Sequence, residues 1–420
     1  MSNQFTLMRE QRFRPFFFVQ FLGAFNDNLF KTALITLVVF QSQSLTSLNP
    51  VMLATLLPGI FILPFFLFSA TSGQLADKFD KSQLMRFVKL FEIGIMLFAA
   101  FGFVFHVFWL LVLALFLMGM HSTLFGPVKY AYLPQHLNPS ELLGGNGMVE
   151  MGTFLAILLG QMGGAWLVMY SGGEVYAAIA VLFFAILGYV FSRQLPQSPA
   201  ADALLKINWN PLTETYRNIA LVYRHRVVWY AVLGISWFWF FGATLLAQFP
   251  QFTKAVLHGD ESLFVLILAL FSLGVGLGSL SCEKLSKGLI EIGLVPIGGV
   301  GLTLFGVDLY LSSTDYSVRV LIDIALIGFF GGIFIVPLYT LIQSVAQKTH
   351  QSRVIAANNI LNAFLMVLSA GFSMLMFGWG INIPQLFLIT ALLNLLVIGW
   401  LCWRQPEYWR RMLQWLKFSL

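Results

Sequence analysis

A chain of 420 residues that is 58% hydrophobic and only 10% charged, with a mean hydropathy of +0.82, carries more apolar surface than a soluble core can hide. A soluble globular protein is thereby excluded. The formal charge of +6 and a pI near 9.3 fit basic loops lying against anionic lipid head groups rather than nucleic-acid binding.

About 20 apolar residues in helical form cross the ~30 Å hydrocarbon core of a bilayer. In chain order the pattern predicts spans at Pro15–Phe40, Val51–Ser72, Leu84–Phe105, Phe108–Phe125, Leu142–Met169 and Val175–Ser192. A polar linker over 193–226 follows, with Leu195-Pro196-Gln197-Ser198-Pro199 and the basic residues Arg217, Arg224 and Arg226. Six more spans are expected at Val227–Phe249, Leu263–Ser281, Leu289–Leu311, Val320–Leu341, Val354–Phe377 and Pro384–Trp403, before an amphipathic, basic tail over 404–420. The expected fold is an all-α membrane protein of twelve transmembrane helices in two halves, residues 1–192 and 227–403.

Charge placement sets the orientation. Of the 24 Lys and Arg, only Lys254 and Arg319 fall in loops expected outside, and Lys31 lies within the first span. Both termini and the linker are therefore expected to be cytoplasmic. Met1–Arg14 leads with charge into a span too long for a signal-peptide core, so that span is expected to stay. Cys282 and Cys402 lack metal-ligand spacing, and neither a metal site nor a cofactor is expected.

The halves echo one another. Gly73-Gln74-Leu75-Ala76-Asp77-Lys78-Phe79-Asp80-Lys81 follows the second span, and Gly278 with Glu283-Lys284-Leu285-Ser286-Lys287 follows the eighth. Asn146 and Glu150 in the fifth span match Asn358 and Asn362 in the eleventh, four residues apart on one helix face in each case. A parallel repeat of this kind is a transporter architecture. Asp77 can serve as a conformational latch, meeting a helix N-terminus or a basic group in one state only, or can simply be a solvated loop charge.

Polar residues left in the membrane cost about 2.5–3.5 kcal/mol each by insertion scales unless paired or wet, so they mark function. Asn26-Asp27-Asn28 with Lys31 is the densest cluster, and Asp27 and Lys31 at spacing four are expected to neutralise one another. Lys89 and Glu92 pair at spacing three. Gly126-Pro127 is expected to break the fourth helix ahead of Lys129-Tyr130, either leaving an anion site there or marking an ordinary cytoplasmic helix end. Glu150 has no basic neighbour at helical spacing, so it finds Lys129 or Lys31 on another helix or is protonated. The seventh span, with Trp237-Phe238-Trp239-Phe240-Phe241, is aromatic and uncharged. No nucleotide loop, serine elbow or acyltransferase His-x-x-x-x-Asp string is present, which argues against an enzyme and leaves no catalytic residue to name.

The loop at Gly73, Asp77, Lys78 and Lys81 resembles the signature of the major facilitator superfamily, departing from it at Asp80, where glycine is usual. Gln20–Asn28, Pro127–Tyr130, Asn146–Glu150 with Ala156–Gly160, and Phe334–Leu338 with Gln343 together resemble the bacterial lysophospholipid transporter family within that superfamily. The resemblance spans nearly the whole chain. It implies a flippase moving lysophosphatidylethanolamine-like lipids from the outer to the inner leaflet of the bacterial inner membrane for reacylation, with lysophospholipid and membrane lipids as its partners. It also implies substrate contacts from Asp27, Lys31, Lys129, Tyr130, Asn146 and Glu150, with Asp27 as a candidate for ion coupling. Free-standing members carry an arginine in the seventh span, whereas Thr244-Leu245-Leu246-Ala247-Gln248 is uncharged here, as in members fused to an acyltransferase. A fused or neighbouring acyltransferase is thus a further implied partner. An exporter of drugs or siderophores and a non-transporting scaffold for acyl-transfer enzymes are the alternatives.

Overall fold

Each long apolar stretch folds as helix, because inside a membrane every backbone group must be satisfied within its own segment. The computed structural model describes residues 4–40, 50–286, 290–313 and 317–419. The first half comprises α1 (Arg14–Phe40), α2 (Pro50–Lys78), α3 (Lys81–Val104), α4 (Phe108–His136), α5 (Leu142–Val168) and α6 (Gly173–Ser192). The linker carries α7 (Pro211–Arg224). The second half comprises α8 (Arg226–Gln251), α9 (Glu261–Leu285), α10 (Leu294–Ser312), α11 (Val318–Val345), α12 (Gln351–Gly378) and α13 (Ile383–Arg404), and α14 (Pro406–Ser419) forms the tail. Among the described residues, eleven helices are long and apolar enough to cross a membrane. The 27-residue α1, whose apolar run is interrupted by Asn26-Asp27-Asn28 and Lys31, packs beside them as the twelfth.

Two departures from the sequence reading matter. The second helix continues past Ser72 to Lys78, so Gly73, Asp77 and Lys78 ride on its last turns rather than in a loop. Asp80, standing where glycine is usual, makes the turn and caps α3, accepting from the Gln83 N–H at 2.9 Å and the Ser198 N–H at 3.0 Å. The fourth helix is not broken at Gly126-Pro127 but runs unbroken to His136. Neighbouring groups take up backbone acceptors at a membrane proline, and here the Ser72 hydroxyl donates to the Leu124 carbonyl. Gly126 leaves room for the Asn359 side chain, whose nitrogen would lie 2.5 Å from a Cβ.

The linker and both ends of the chain gather at one end of the bundle. Gln74 exchanges hydrogen bonds with the Asn208 backbone at 2.7 and 3.0 Å, tying the linker to α2. Arg12 forks onto both carboxylate oxygens of Glu141 at 2.8 Å, ahead of α5. That contact holds the Glu141 carboxyl below the usual range and raises the Arg12 guanidinium. The tail helix docks through Arg411 on Glu291 at 2.8 Å and the Trp415 indole on the Leu285 carbonyl at 2.7 Å. Toward the other end, Asp308 pairs with Arg319, and Ser312 donates to Asp323 at 2.8 Å.

Candidate functional site

Between the halves lies a cavity of about 350 Å³. The first half supplies most of its polar lining, Gln20, Asp27, Lys31, His121, Ser122, Lys129, Glu150 and Thr153, together with Pro58, Phe61, Ile62 and Phe65 from α2. The second half adds Trp239, Tyr339, Asn359, Asn362 and Met366.

At its floor the Tyr130 hydroxyl donates to Glu150 Oε1 at 2.5 Å, while the Tyr130 ring stacks on Tyr339 with centroids 4.3 Å apart and planes 5° from parallel. Lys129 Nζ donates to the Thr153 hydroxyl at 3.0 Å and lies 4.9 Å from the Tyr130 ring centroid. Thus Glu150 finds a tyrosine as its hydrogen-bond partner, and among the described residues Lys129 Nζ makes its one side-chain hydrogen bond to Thr153 and no ion pair. An anionic oxygen entering the cavity meets an ammonium with donor capacity to spare.

Higher on the wall, the expected Asp27–Lys31 pair is not made. Asp27 accepts from the Ser122 hydroxyl and lies 3.8 Å from His121 Nδ1, whereas Lys31 Nζ sits 5.0 Å from the Phe61 ring centroid. Spacing four puts two side chains on one face, but α4 offered Asp27 closer partners and α2 gave the ammonium a ring face. Behind Asp27 the Lys89–Glu92 pair is completely buried at 2.6 Å, and Glu92 also receives Asn26 Nδ2 at 2.8 Å and lies 3.2 Å from His121 Nε2. His121 therefore stands between a carboxylate on the cavity and one behind it. Its isolation in an apolar stretch of sequence concealed it, since neither carboxylate is on its own helix.

Asn146 does not line the cavity. It is wholly buried below it, donating to Gln343 Oε1 at 2.5 Å and Thr340 Oγ1 at 3.2 Å, while Gln343 Nε2 returns bonds to Asn146 Oδ1 at 3.1 Å and the Tyr130 carbonyl at 3.0 Å. This amide pair fastens the halves together. Alongside it, Asp77 is buried against the start of α12, accepting from the Ser352 N–H and Arg353 Nε at 3.0 Å each. The equivalent Glu283 at the end of α9 accepts from the Gln4 N–H at 2.9 Å. Backbones approach closely here, for a Cβ on Gly73 would lie 2.7 Å from that of Ala356, and one on Gly147 only 2.5 Å from the Ser279 carbonyl. Lys78 is half-buried, and Lys81 is buried with its backbone N–H on Ser198.

A profile of the Major Facilitator Superfamily matches residues 16–370. The chain belongs to the major facilitator superfamily. Its relatives include the "Lysophospholipid transporter LplT" of Serratia proteamaculans, 27% identical over 360 residues, covering 84% of this chain and 85% of that protein. The protein of the same name from an Enterobacter species is 27% identical over 399 residues, with 92% and 94% covered. Among solved structures, the human organic anion transporter MFSD10 superposes with a TM-score of 0.76 at 15% identity, covering 92% of this chain and 99% of that one, which shows the fold. As in other major facilitators, the chemistry is that of a carrier: these named relatives are transporters, not enzymes. Within this major facilitator Trp237 turns away from the cavity, its indole donating to Asn394 Oδ1 at 2.9 Å, and Trp239 is the aromatic residue of α8 that lines it.

Proposed function

We propose that this chain carries lysophospholipids, taking lysophosphatidylethanolamine-like molecules from the outer leaflet of the bacterial inner membrane and releasing them to the inner leaflet by alternating access. The observation carrying this reading is the chemistry of one cavity: Lys129, held by Thr153 and in no ion pair among the described residues, for a phosphate, the carboxylates Asp27 and Glu150 for an ammonium, and an apolar wall from Pro58 to Phe65 with Met366 for a single acyl chain. Leaving lipid for a greasy wall is nearly neutral, because the ~0.8 kcal/mol per CH₂ is gained only relative to water. Selection therefore falls to the head group. The named relatives support the same substrate class.

Orientation follows from charge. With the basic linker and termini cytoplasmic, the contacts of Asp77, Asn146 and Glu283 close the cytoplasmic side, and the cavity is approached from the outside. Asp27, meeting Ser122 and His121, is the group proposed for ion coupling. Lipid released inside is the substrate that a fused or neighbouring acyltransferase reacylates. The test is uptake of labelled lysophosphatidylethanolamine by spheroplasts and proteoliposomes with and without the protein. Uptake into an acylatable inner-leaflet pool is expected; export of the label, or none with inserted protein, overturns the reading.

A further inference from the structure

On the linker face a second cavity, of about 380 Å³, lies between α7, α2 and the start of α12, apart from the central one. Four cations line it, Lys206, Arg217, Arg224 and Arg353, against one carboxylate, Glu214. Two aspartates outside the lining reach Arg353, Asp77 at 3.0 Å and Asp202 at 3.8 Å, and with both counted positive charge still leads by one. Glu214 stands 3.7 Å from Arg217 and accepts from Asn208 at 3.4 Å.

A second observation points to a ligand. Asn218 lines this cavity and is only 1% exposed, yet its Nδ2 has no hydrogen-bond partner among the described residues. A buried donor left unmade is costly, so an acceptor completes it. Guanidinium forks, an ammonium and an amide donor form the set that recognises a phosphate group with several oxygens. From these we infer that the linker cavity binds a phosphate-bearing anion, and that this anion competes with Asp77 for Arg353. Its occupancy loosens the contact that closes α2 on α12.

Two sources share that chemistry. The flank of α7 exposes Leu212 and Tyr216, with Trp209 just ahead of the helix, residue types that sit at a lipid interface, so a phospholipid head group is at hand. Soluble phosphate is the other. The inference is independent of what the central cavity carries.

Ala356 is buried against Gly73, so a cysteine there reports opening of this contact. With Cys282 and Cys402 replaced by serine, Ala356→Cys is labelled with maleimide in nanodiscs of phosphatidylcholine, with or without phosphatidic acid. Pure phosphatidylcholine discs are also tested with inorganic phosphate or chloride of equal ionic strength. Retained lipid is counted by native mass spectrometry. Labelling is expected to rise several-fold with one phosphate source and not with chloride, and Arg217→Gln with Arg224→Gln, both exposed and harmless to folding, is expected to abolish the rise. A response to phosphatidic acid alone assigns the lipid, and a response to inorganic phosphate assigns the soluble anion. No response to either, or a response that survives the double substitution, overturns the inference. So does binding that leaves Ala356→Cys as unreactive as before.

Discussion

Removing one side of the Asn146–Gln343 pair tests whether the halves are fastened by buried amides. In Gln343→Leu, Asn146 loses its best acceptor and a donor, and the Tyr130 carbonyl loses its partner, all in a site closed to water. A buried polar group left unpaired costs about 1–3 kcal/mol, whereas replacing both partners by apolar groups is nearly neutral. The closed state should therefore lose stability relative to an open state in which water reaches Asn146. By the rule of 1.4 kcal/mol per tenfold, the equilibrium shifts roughly 5- to 150-fold toward opening. Asn146→Leu should behave alike, and the double Leu variant should shift less than the sum of the two single changes, a non-additivity expected of partners in contact. Maleimide labelling of Ala356→Cys from the linker side, in a background with Cys282 and Cys402 as serine, reads the shift. Additive effects would refute the pairing argument. A loss of substrate affinity in Asn146→Leu with unchanged labelling would instead return Asn146 to the substrate site.

Lys129→Ala should weaken lysophospholipid transport by a similar factor at all acyl lengths, while Trp239→Ala should alter chain-length preference and leave head-group preference intact; competition assays with lysolipids of varied chain and head group check both. Trp237→Phe, which breaks only the bond to Asn394, should leave both preferences unchanged in the same assay. Asp27→Asn should insert normally and lose ion-dependent uptake, and ion-dependent transport at the normal rate in sealed vesicles would remove Asp27 from coupling. For Glu141 the folded pKa lies below the unfolded one, so its stabilisation is full above the ordinary carboxylate pKa of about 4.3 and is lost as pH falls through the lowered value. Thermal melts taken from neutral to acid pH should show that acid-side loss in the natural chain and a flattened one in both Glu141→Gln and Arg12→Ala.

What the sequence made legible was whatever a single helix decides. The apolar runs, the doubled plan and the Lys89–Glu92 pair were readable because length, composition and a spacing of three residues act within one segment. Readings that needed a second helix fared differently. Asp27 and Lys31 share a face of α1, yet Ser122, His121 and Phe61 arrive from α4 and α2 and take them apart. Glycine and proline at 126–127 signal a break by propensity, but packing against α2 and α12 keeps α4 continuous. Trp237 and Trp239, two positions apart, point to opposite sides of α8, but only the packed neighbours show which side faces the cavity and which meets Asn394. The same holds for Asn146, whose partner Gln343 stands 197 positions away.

Under the proposed alternating access, the contacts that close the linker end must be weak enough for cargo to open them. At this end closure draws on close backbone approach and on polar pairs. Gly73 and Gly147 provide the first, and Asn146–Gln343, Asp77 on α12 and Glu283 on Gln4 provide the second. Interhelical polar contacts of this kind are worth about 0.6–2 kcal/mol each in membranes, so three of them contribute only a few kcal/mol to closure. A ligand shifts such an equilibrium by its difference in affinity between the two states and by nothing else. The floor of the cavity supplies that difference: Tyr130 donates to Glu150 through its hydroxyl, stacks on Tyr339 of the other half, and offers its carbonyl to Gln343 of the latch. On the proposed function, a phosphate drawn to Lys129 beside the Tyr130 ring would act on a residue bonded directly to the latch. On that reading the energy that opens the linker end comes from the head group, and an acyl chain alone, indifferent between lipid and wall, would not supply it.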